Sequence, residues 1–273
     1  MKHDYTVTFA TLNCIEYTQK CIESLIKSGT DISKIVVVDN ASSDETCKYL
    51  KTIGLKNLIL NRQNLSCGTA WNQGLLVNQS EWTIIINNDI IVTDDFANKL
   101  INFAIKNNLK IVSPARIDGD LNYNLNEFSM QSEIKTKNCI RKDSSHAICM
   151  CIHWSVFCEI GFFRADPNLL GFEDGIFYNE VRNKNIKHAT TGCVWIHHFG
   201  SVTQNYLKTS LGKKDGDLLL KVNDRKIYKQ SWLSRKIYRY NLKNKNKKFR
   251  EEELRKYDMT LIGARINNDF IWF

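Results

Sequence analysis

Residues 35–46, Ile35-Val36-Val37-Val38-Asp39-Asn40-Ala41-Ser42-Ser43-Asp44-Glu45-Thr46, carry the pattern on which the fold turns. Four consecutive β-branched apolar residues form a strand buried on both faces, and the run stops at an aspartate followed by small polar residues. Ser42 and Glu45 have the S-x-x-E spacing of a capping box, which predicts a helix through Leu50. The unit repeats on both sides. Thr6 to Leu12 (TVTFATL) reads as a strand ending at Asn13, followed by a helix with Tyr17, Cys21 and Leu25 at spacing four. Asn57 to Leu60 and Trp82 to Ile86 read as two more strands, with a helix over Gly68 to Val77 between them. Thr93 is expected to cap a helix whose Phe96, Leu100, Phe103 and Ala104 share one face, and Lys110 to Ser113 supplies a fifth strand. Strands alternating with helices predict an α/β fold with a mostly parallel open sheet flanked by helices. Residues 116–145 are polar with weak periodicity, and 146–200 return to apolar runs broken by glycines, Gly171 among them.

The chain of 273 residues is 43% hydrophobic and 25% charged, a globular composition that excludes disordered, collagenous and coiled-coil classes. Nine cysteines, odd in number and mostly inside apolar runs, lack zinc-site spacing, and the start carries no apolar signal region, so a reducing cytoplasm is the expected location. The longest stretches without Lys, Arg, Asp or Glu, 144–158 and 189–207, are too short and too polar for a spanning helix. Formal net charge is +9, and it is local. From Arg225 to Lys256 thirteen Lys/Arg stand against three acids, whereas the other 241 residues sum to −1. A nearly neutral body of residues 1–205 with a basic, mainly helical C-terminal appendage over 206–273 is therefore expected. Such a charge suits an anionic partner surface, acidic phospholipid or nucleic acid, or else a solvated helical face.

In open α/β sheets ligands gather beyond the carboxyl ends of the strands. The residues there are Thr11-Leu12-Asn13, Asp39 to Asp44 (with Asn40 and Ser42), Asn61-Arg62-Gln63-Asn64 and Asn87-Asn88-Asp89. Carboxylates, amides and hydroxyls converge on one rim, without the glycine-rich phosphate loop of dinucleotide or P-loop enzymes.

Six segments in order, TFATLN (8–13), VVVDNASSDET (36–46), NRQNLSCGTAWNQG (61–74), IIINNDI (84–90), FEDGIFYNEVR (172–182) and HHFGSVT (197–203), resemble the family 2 glycosyltransferases of GT-A fold, which bind nucleotide-sugars, with an inverting, rhamnosyltransferase-like pattern. The resemblance covers roughly three quarters of the chain. It implies that Asp39 hydrogen-bonds the base of a nucleotide-sugar, with Thr11 and Asn13 lining the pocket and Asn40, Ser42 and Asn88 on the same rim. An acceptor-only carboxylate suits a uracil or thymine imide N–H, hence a UDP- or dTDP-sugar. Arg62 would approach the diphosphate. Asn64, Gly68 and Asn72 match the family's glycine-rich stretch in part, with Ser66 and Thr69 in place of glycines. Asn87-Asn88-Asp89 stands where the family has Asp-x-Asp, so Asp89 resembles the ligand of Mn²⁺ or Mg²⁺, joined by His198 or by its neighbour His197. Asn87 in place of the first Asp leaves less protein charge for the ion. Glu173-Asp174 resembles the catalytic acid pair, with Asp174 as base and Glu173 orienting it or the acceptor; Ile176 replaces a further Asp of many members.

The resemblance implies a hexosyl- or deoxyhexosyl-transferase of polysaccharide biosynthesis, acting on a hydroxyl of a glycan or lipid-linked acceptor. Segment 226–240 (KIYKQSWLSRKIYRY) has Ile227, Trp232 and Tyr238 near helical spacing amid Lys229, Lys236, Arg239 and Tyr240. It reads either as an interfacial helix on an anionic membrane, placing the enzyme at the inner face, or as a helix docked by its aromatics on the body. The alternatives are a phage-type enzyme glycosylating a modified base in DNA and an inactive GT-A binding module holding nucleic acid.

Overall fold

The computed structural model describes residues 3–166, 172–212, 214 and 231–273. Its central sheet begins with four parallel strands in the order β3 (Asn57–Leu60), β2 (Ile35–Asp39), β1 (Tyr5–Thr11) and β4 (Trp82–Ile86). Helices α1 (Ile15–Lys27), α2 (Thr46–Thr52) and α3 (Cys67–Val77) connect them. The apolar run Ile84-Ile85-Ile86 of β4 has the expected cause. Ile84 and Ile86 enter one core with Phe9, Val37, Cys21 and Leu25, while Ile85 enters a second core with Trp71, Leu75, Phe157 and Phe177. A strand covered on both faces has no place for an alternating polar residue.

Beyond β4 the sheet is mixed. β8 (Cys149–His153) runs antiparallel to β4 and to the start of β6 (Ile111–Gly119). β9 (His188–His198) lies parallel on the other edge of β6 and pairs also with the short β5 (Ile90–Val92) and β7 (Ile140–Lys142). Four further helices surround this half: α4 (Phe96–Lys106), α5 (Leu125–Thr136), α6 (Ser155–Ile160) and α7 (Glu173–Asn183). α8 (Val202–Ser210) runs across residue 205.

The C-terminal segment supplies α9 (Trp232–Tyr257), then β10 (Ile262–Ile266) parallel to β6, and β11 (Asp269–Trp272) antiparallel to β10. The last residues thus extend the same sheet that the first residues begin. Arg141 and Glu253 fasten this segment through a bidentate pair, 2.6 and 2.7 Å, with both side chains almost wholly buried. The second Glu253 oxygen also accepts from the Leu261 N–H. Removing one partner of such a pair costs about 3–5 kcal/mol, because the other charge stays buried and uncompensated.

Two expected caps differ. Ser42 does not open α2, because its Oγ accepts from the Asn13 N–H at 2.7 Å, and it is Asp44 that receives the Thr46 N–H. Thr93 is buried and donates to the Trp195 carbonyl, while Asp95 stands at the α4 terminus. In both cases a hydroxyl that could cap a helix is drawn into tertiary contacts between loops and strands. All nine cysteines are free. Among the described residues no helix is long and apolar enough to cross a membrane.

Candidate active site

A cavity of about 500 Å³ opens where the strand ends of β1, β2 and β4 meet α7 and α8. Thr11, Asn40, Asn64, Asn88, Asp89, Glu173, Asp174 and His198 line it, so eight of the residues singled out in the sequence share one space.

The wall formed by β4, β5 and β9 is set by strand register. Pro114 has no N–H to continue the ladder, and the β6–β9 register shifts between Pro114 and Ala115, with Gly192 to Val194 bulging from β9. After the shift Asp118 pairs with His198, while β5 places Ile90 against His198 from the other side. The imidazole therefore stands between two carboxylates. Asp118 Oδ1 accepts from Nδ1 at 2.9 Å, which leaves Nε2 3.5 Å from Asp89 Oδ1. Asp89 Oδ2 is engaged by the Val202 N–H at 3.1 Å, but Asp89 Oδ1 and His198 Nε2 are buried with no hydrogen bond. Burial alone would raise the Asp118 pKa, yet the His198 hydrogen bond and the Arg116 charge, with Arg116 Nε 3.0 Å away, hold it below the usual aspartate value.

These two bare atoms, one carboxylate oxygen and one imidazole nitrogen, suit a divalent ion. No group of three His, Cys, Asp or Glu that could hold a metal occurs among the described residues, so a cation here would take its remaining ligands from elsewhere. His197, the neighbour weighed for the same role, is wholly buried against Tyr123, whose hydroxyl is 3.1 Å from its Nδ1; burial lowers its pKa to about 4.

The second wall is the first turn of α7. Glu173 is buried and its Oε1 receives the Gly68 N–H at the start of α3, an arrangement that suits a carboxylate at a helix N-terminus. A Cβ on Gly68 would stand 2.8 Å from the Arg164 carbonyl and 2.8 Å from the Glu173 side chain, so α3 and α7 approach this closely only over glycine. Asp174 lines the cavity, with Oδ1 accepting from the Gly175 N–H at 2.7 Å. Burial raises its pKa against the lowering effect of that bond.

The rest of the expected donor pocket is spread out. Asn88 is used up internally, donating to Thr11 and Thr18 and accepting from Thr203, so it braces the wall and also fixes the Thr11 hydroxyl. Asn40 donates to the Ser66 carbonyl and accepts from Asn61, holding the 61–66 loop, whose Asn64 caps the Ser66 N–H. Asp39, Asn13 and Ser42 do not line the cavity and lock one another instead. The Ser42 N–H donates to Asp39 Oδ2, and Asn13 Oδ1 accepts from Ser43 and Asp44. Asp39 Oδ1 remains buried without a partner. Asn72 clamps the Phe163 backbone in both directions, and Arg62 is exposed on its loop; neither reaches the cavity. Gly171, the glycine before the acid pair, lies outside the described residues.

Two residues of the site were missed in the sequence. Asp118 could have been found, because Ala115-Arg116-Ile117-Asp118 alternates apolar and charged as a half-buried strand does. Only the pairing with β9 reveals what it faces. His146 also lines the cavity; its Nε2 donates to the Pro114 carbonyl at 2.9 Å, and burial together with the Arg116 charge lowers its pKa to about 3, leaving Nδ1 bare.

Comparison with known proteins bears on the family and the fold. The model of the glycosyl transferase family 2 matches residues 6–162. No curated protein sequence matches the chain. Among solved structures, GalNAc-T7 with UDP, GalNAc and Mn²⁺ superposes with a TM-score of 0.57 at 18% identity, covering 72% of this chain and 44% of that one. The mannosyltransferase PcManGT from Pyrobaculum calidifontis, in complex with GDP-Man and Mn²⁺, gives 0.55 at 16% identity over 72% and 57%. The chain thus spans about half the length of either neighbour, and at these identities the likeness establishes the shared GT-A fold. With the family model covering more than half of its residues, the protein belongs to glycosyl transferase family 2.

Proposed function

We propose that the protein is an inverting glycosyltransferase that moves a hexosyl or deoxyhexosyl group, rhamnosyl among them, from a UDP- or dTDP-sugar to a hydroxyl of a glycan or lipid-linked acceptor. The observation that carries the reading is the pair of buried, unpartnered atoms, Asp89 Oδ1 and His198 Nε2, on the wall of the cavity that Asp174 also lines. Asp89 and His198 would hold a divalent ion, Mn²⁺ or Mg²⁺, that when bound neutralises charge on the leaving diphosphate. Solved neighbours holding Mn²⁺ support that choice.

Asp118 keeps the proton of His198 on Nδ1 and so aims the Nε2 lone pair into the cavity, the carboxylate support usual for a metal-binding histidine. Asp174 takes the proton of the acceptor hydroxyl through Oδ2, since Oδ1 is held by Gly175. Its raised pKa makes the carboxylate a stronger base than an exposed aspartate. Glu173 fixes α7 against α3 and thereby orients Asp174. Asp39, with one bare buried oxygen, is the group we assign to the nucleobase once the 40–44 loop admits it. Residues 1–205 would carry the transfer chemistry and the basic segment after 206 would govern access to the acceptor, in a cytoplasmic enzyme of polysaccharide biosynthesis.

Thermal stabilisation of the full chain by a panel of UDP-, dTDP- and GDP-sugars, with and without Mn²⁺, tests the reading. A shift with one nucleotide class that requires Mn²⁺ is expected. No shift with any of them would remove the donor assignment and favour a binding module without catalysis.

A further inference from the structure

We infer that the outward face of the first half of α9 is a docking surface for an anionic lipid bilayer. The two sides of this helix are distinguished by what they touch. Tyr238 lies under the Arg182 guanidinium, Lys245 donates to the Asp143 carbonyl, Phe249 lies under Arg141, and Glu253 is ion-paired with Arg141. Positions 238, 245, 249 and 253 fall on one side of a helix with 3.6 residues per turn, and that side faces the body. On the opposite side come Trp232, Leu233, Lys236, Ile237, Tyr240, Lys243 and Lys247. Of these, Trp232, Leu233, Ile237 and Tyr240 are each more than half exposed, although all four are large apolar or aromatic side chains. Tyr238 docks on the body as one sequence reading expected, whereas Trp232 does not; Ile227 and Lys229 lie outside the described residues.

Both components of the face call for a partner. Four large apolar side chains clustered within three turns are more than the scattered exposure of an ordinary surface. The lysines flanking them, with Lys236 5.0 Å over the Trp232 ring, present positive charge at the same level. Apart from Glu251, Glu252 and Glu253 at its far end, the helix is free of acidic residues. An aromatic and aliphatic stripe bordered by lysines fits the headgroup region of an anionic membrane, where rings and branched chains enter the acyl boundary and lysines reach phosphate. Nucleic acid would satisfy the lysines and leave Leu233 and Ile237 in water. Position also fits: Tyr238 touches Arg182 near the end of α7, about 12–14 Å along that helix from the turn holding Glu173 and Asp174. The consequence for transfer, presenting the cavity to an acceptor in the bilayer, rests on the function proposed above; the binding itself does not.

The test uses the full chain without donor, co-sedimented with vesicles of phosphatidylcholine alone and of phosphatidylcholine with phosphatidylglycerol. The wild type should pellet with the anionic vesicles and stay in solution with the neutral ones. Substituting Lys236, Lys243 and Lys247 by Gln should weaken partitioning on the order of 10²-fold, at roughly five-fold per lysine. Replacing Trp232, Leu233, Ile237 and Tyr240 by Ser should abolish it, with circular dichroism and melting temperature unchanged because all four are exposed. Failure of the wild type to pellet with anionic vesicles would overturn the proposal. So would partitioning indifferent to both variants, or binding to duplex DNA that the Ser variant leaves intact while vesicles are ignored. Because donor binding is read separately by thermal stabilisation, loss of either reading leaves the other standing.

Discussion

Asp89 and Asp174 line one cavity, but the protein treats the two carboxylates differently. On the β4–β9 wall, Asp89 has one oxygen tied to Val202 and the other bare opposite a bare imidazole nitrogen. On the α7 wall, Asp174 is held by Gly175 and its pKa is raised by burial, a state that favours taking up a proton. The first wall presents two buried atoms without hydrogen bonds, which is where we propose a cation, and the second presents a carboxylate already held by the backbone. Under the proposed function the labour divides accordingly, with ligand binding at the strand-built wall and proton transfer at the helix-built wall.

The largest effect is expected from Asp174→Asn, which keeps the shape and the Gly175 bond while removing the proposed base. Donor affinity should persist, whereas single-turnover sugar transfer should fall by about 10²–10⁴-fold. Undiminished transfer would move the base to Glu173 or to another carboxylate.

A smaller effect is expected from Asp118→Ala, which leaves His198 free to rotate. Mn²⁺-dependent donor affinity should weaken by about 10–100-fold, with Asp118→Asn recovering part of the loss. Equal affinity in all three proteins would mean that the β6–β9 register suffices to hold the ring.

The raised pKa of Asp174 gives two pH effects. Transfer needs the ionised carboxylate, so the acid limb of kcat/KM should lie above the ordinary aspartate value of 3.8 and should vanish in what activity Asp174→Asn retains. Folding favours the protonated form of a group whose folded pKa is raised, so stability is lost as pH rises from the unfolded pKa through the folded one. Asp174→Asn should therefore melt higher than wild type at neutral pH, by a margin that closes below the ordinary aspartate range. A variant no more stable at neutral pH would show that burial of this carboxyl costs the fold nothing.

The two walls also differ in how far they could be read from the chain. Asp89 follows a locally legible signal, a strand that ends in polar residues, Glu173 and Asp174 are singled out by the family resemblance, and the first four strands lie where periodicity predicts them. Asp118 is hidden because the sequence pattern ends its strand at Ser113, whereas β6 runs on to Gly119 once β9 and β10 flank it. The β9 bulge and the arrival of β10 beside β6, after more than a hundred intervening residues, are non-local pairings that no window of sequence contains. Ser42 shows the converse error, a locally correct capping pattern overruled when Asn13 needed an acceptor.

Whether Asp89 holds a cation for the donor is tested by a calorimetric titration of the wild type and Asp89→Ala with the nucleotide-sugar that stabilises the protein most, with and without Mn²⁺. Because Asp89 sits at a strand end and not among packed apolar side chains, the variant should fold. Mn²⁺-dependent heat of binding is expected for the wild type and none for the variant. Equal affinity in the two proteins, or donor binding indifferent to the metal, would contradict that role for Asp89.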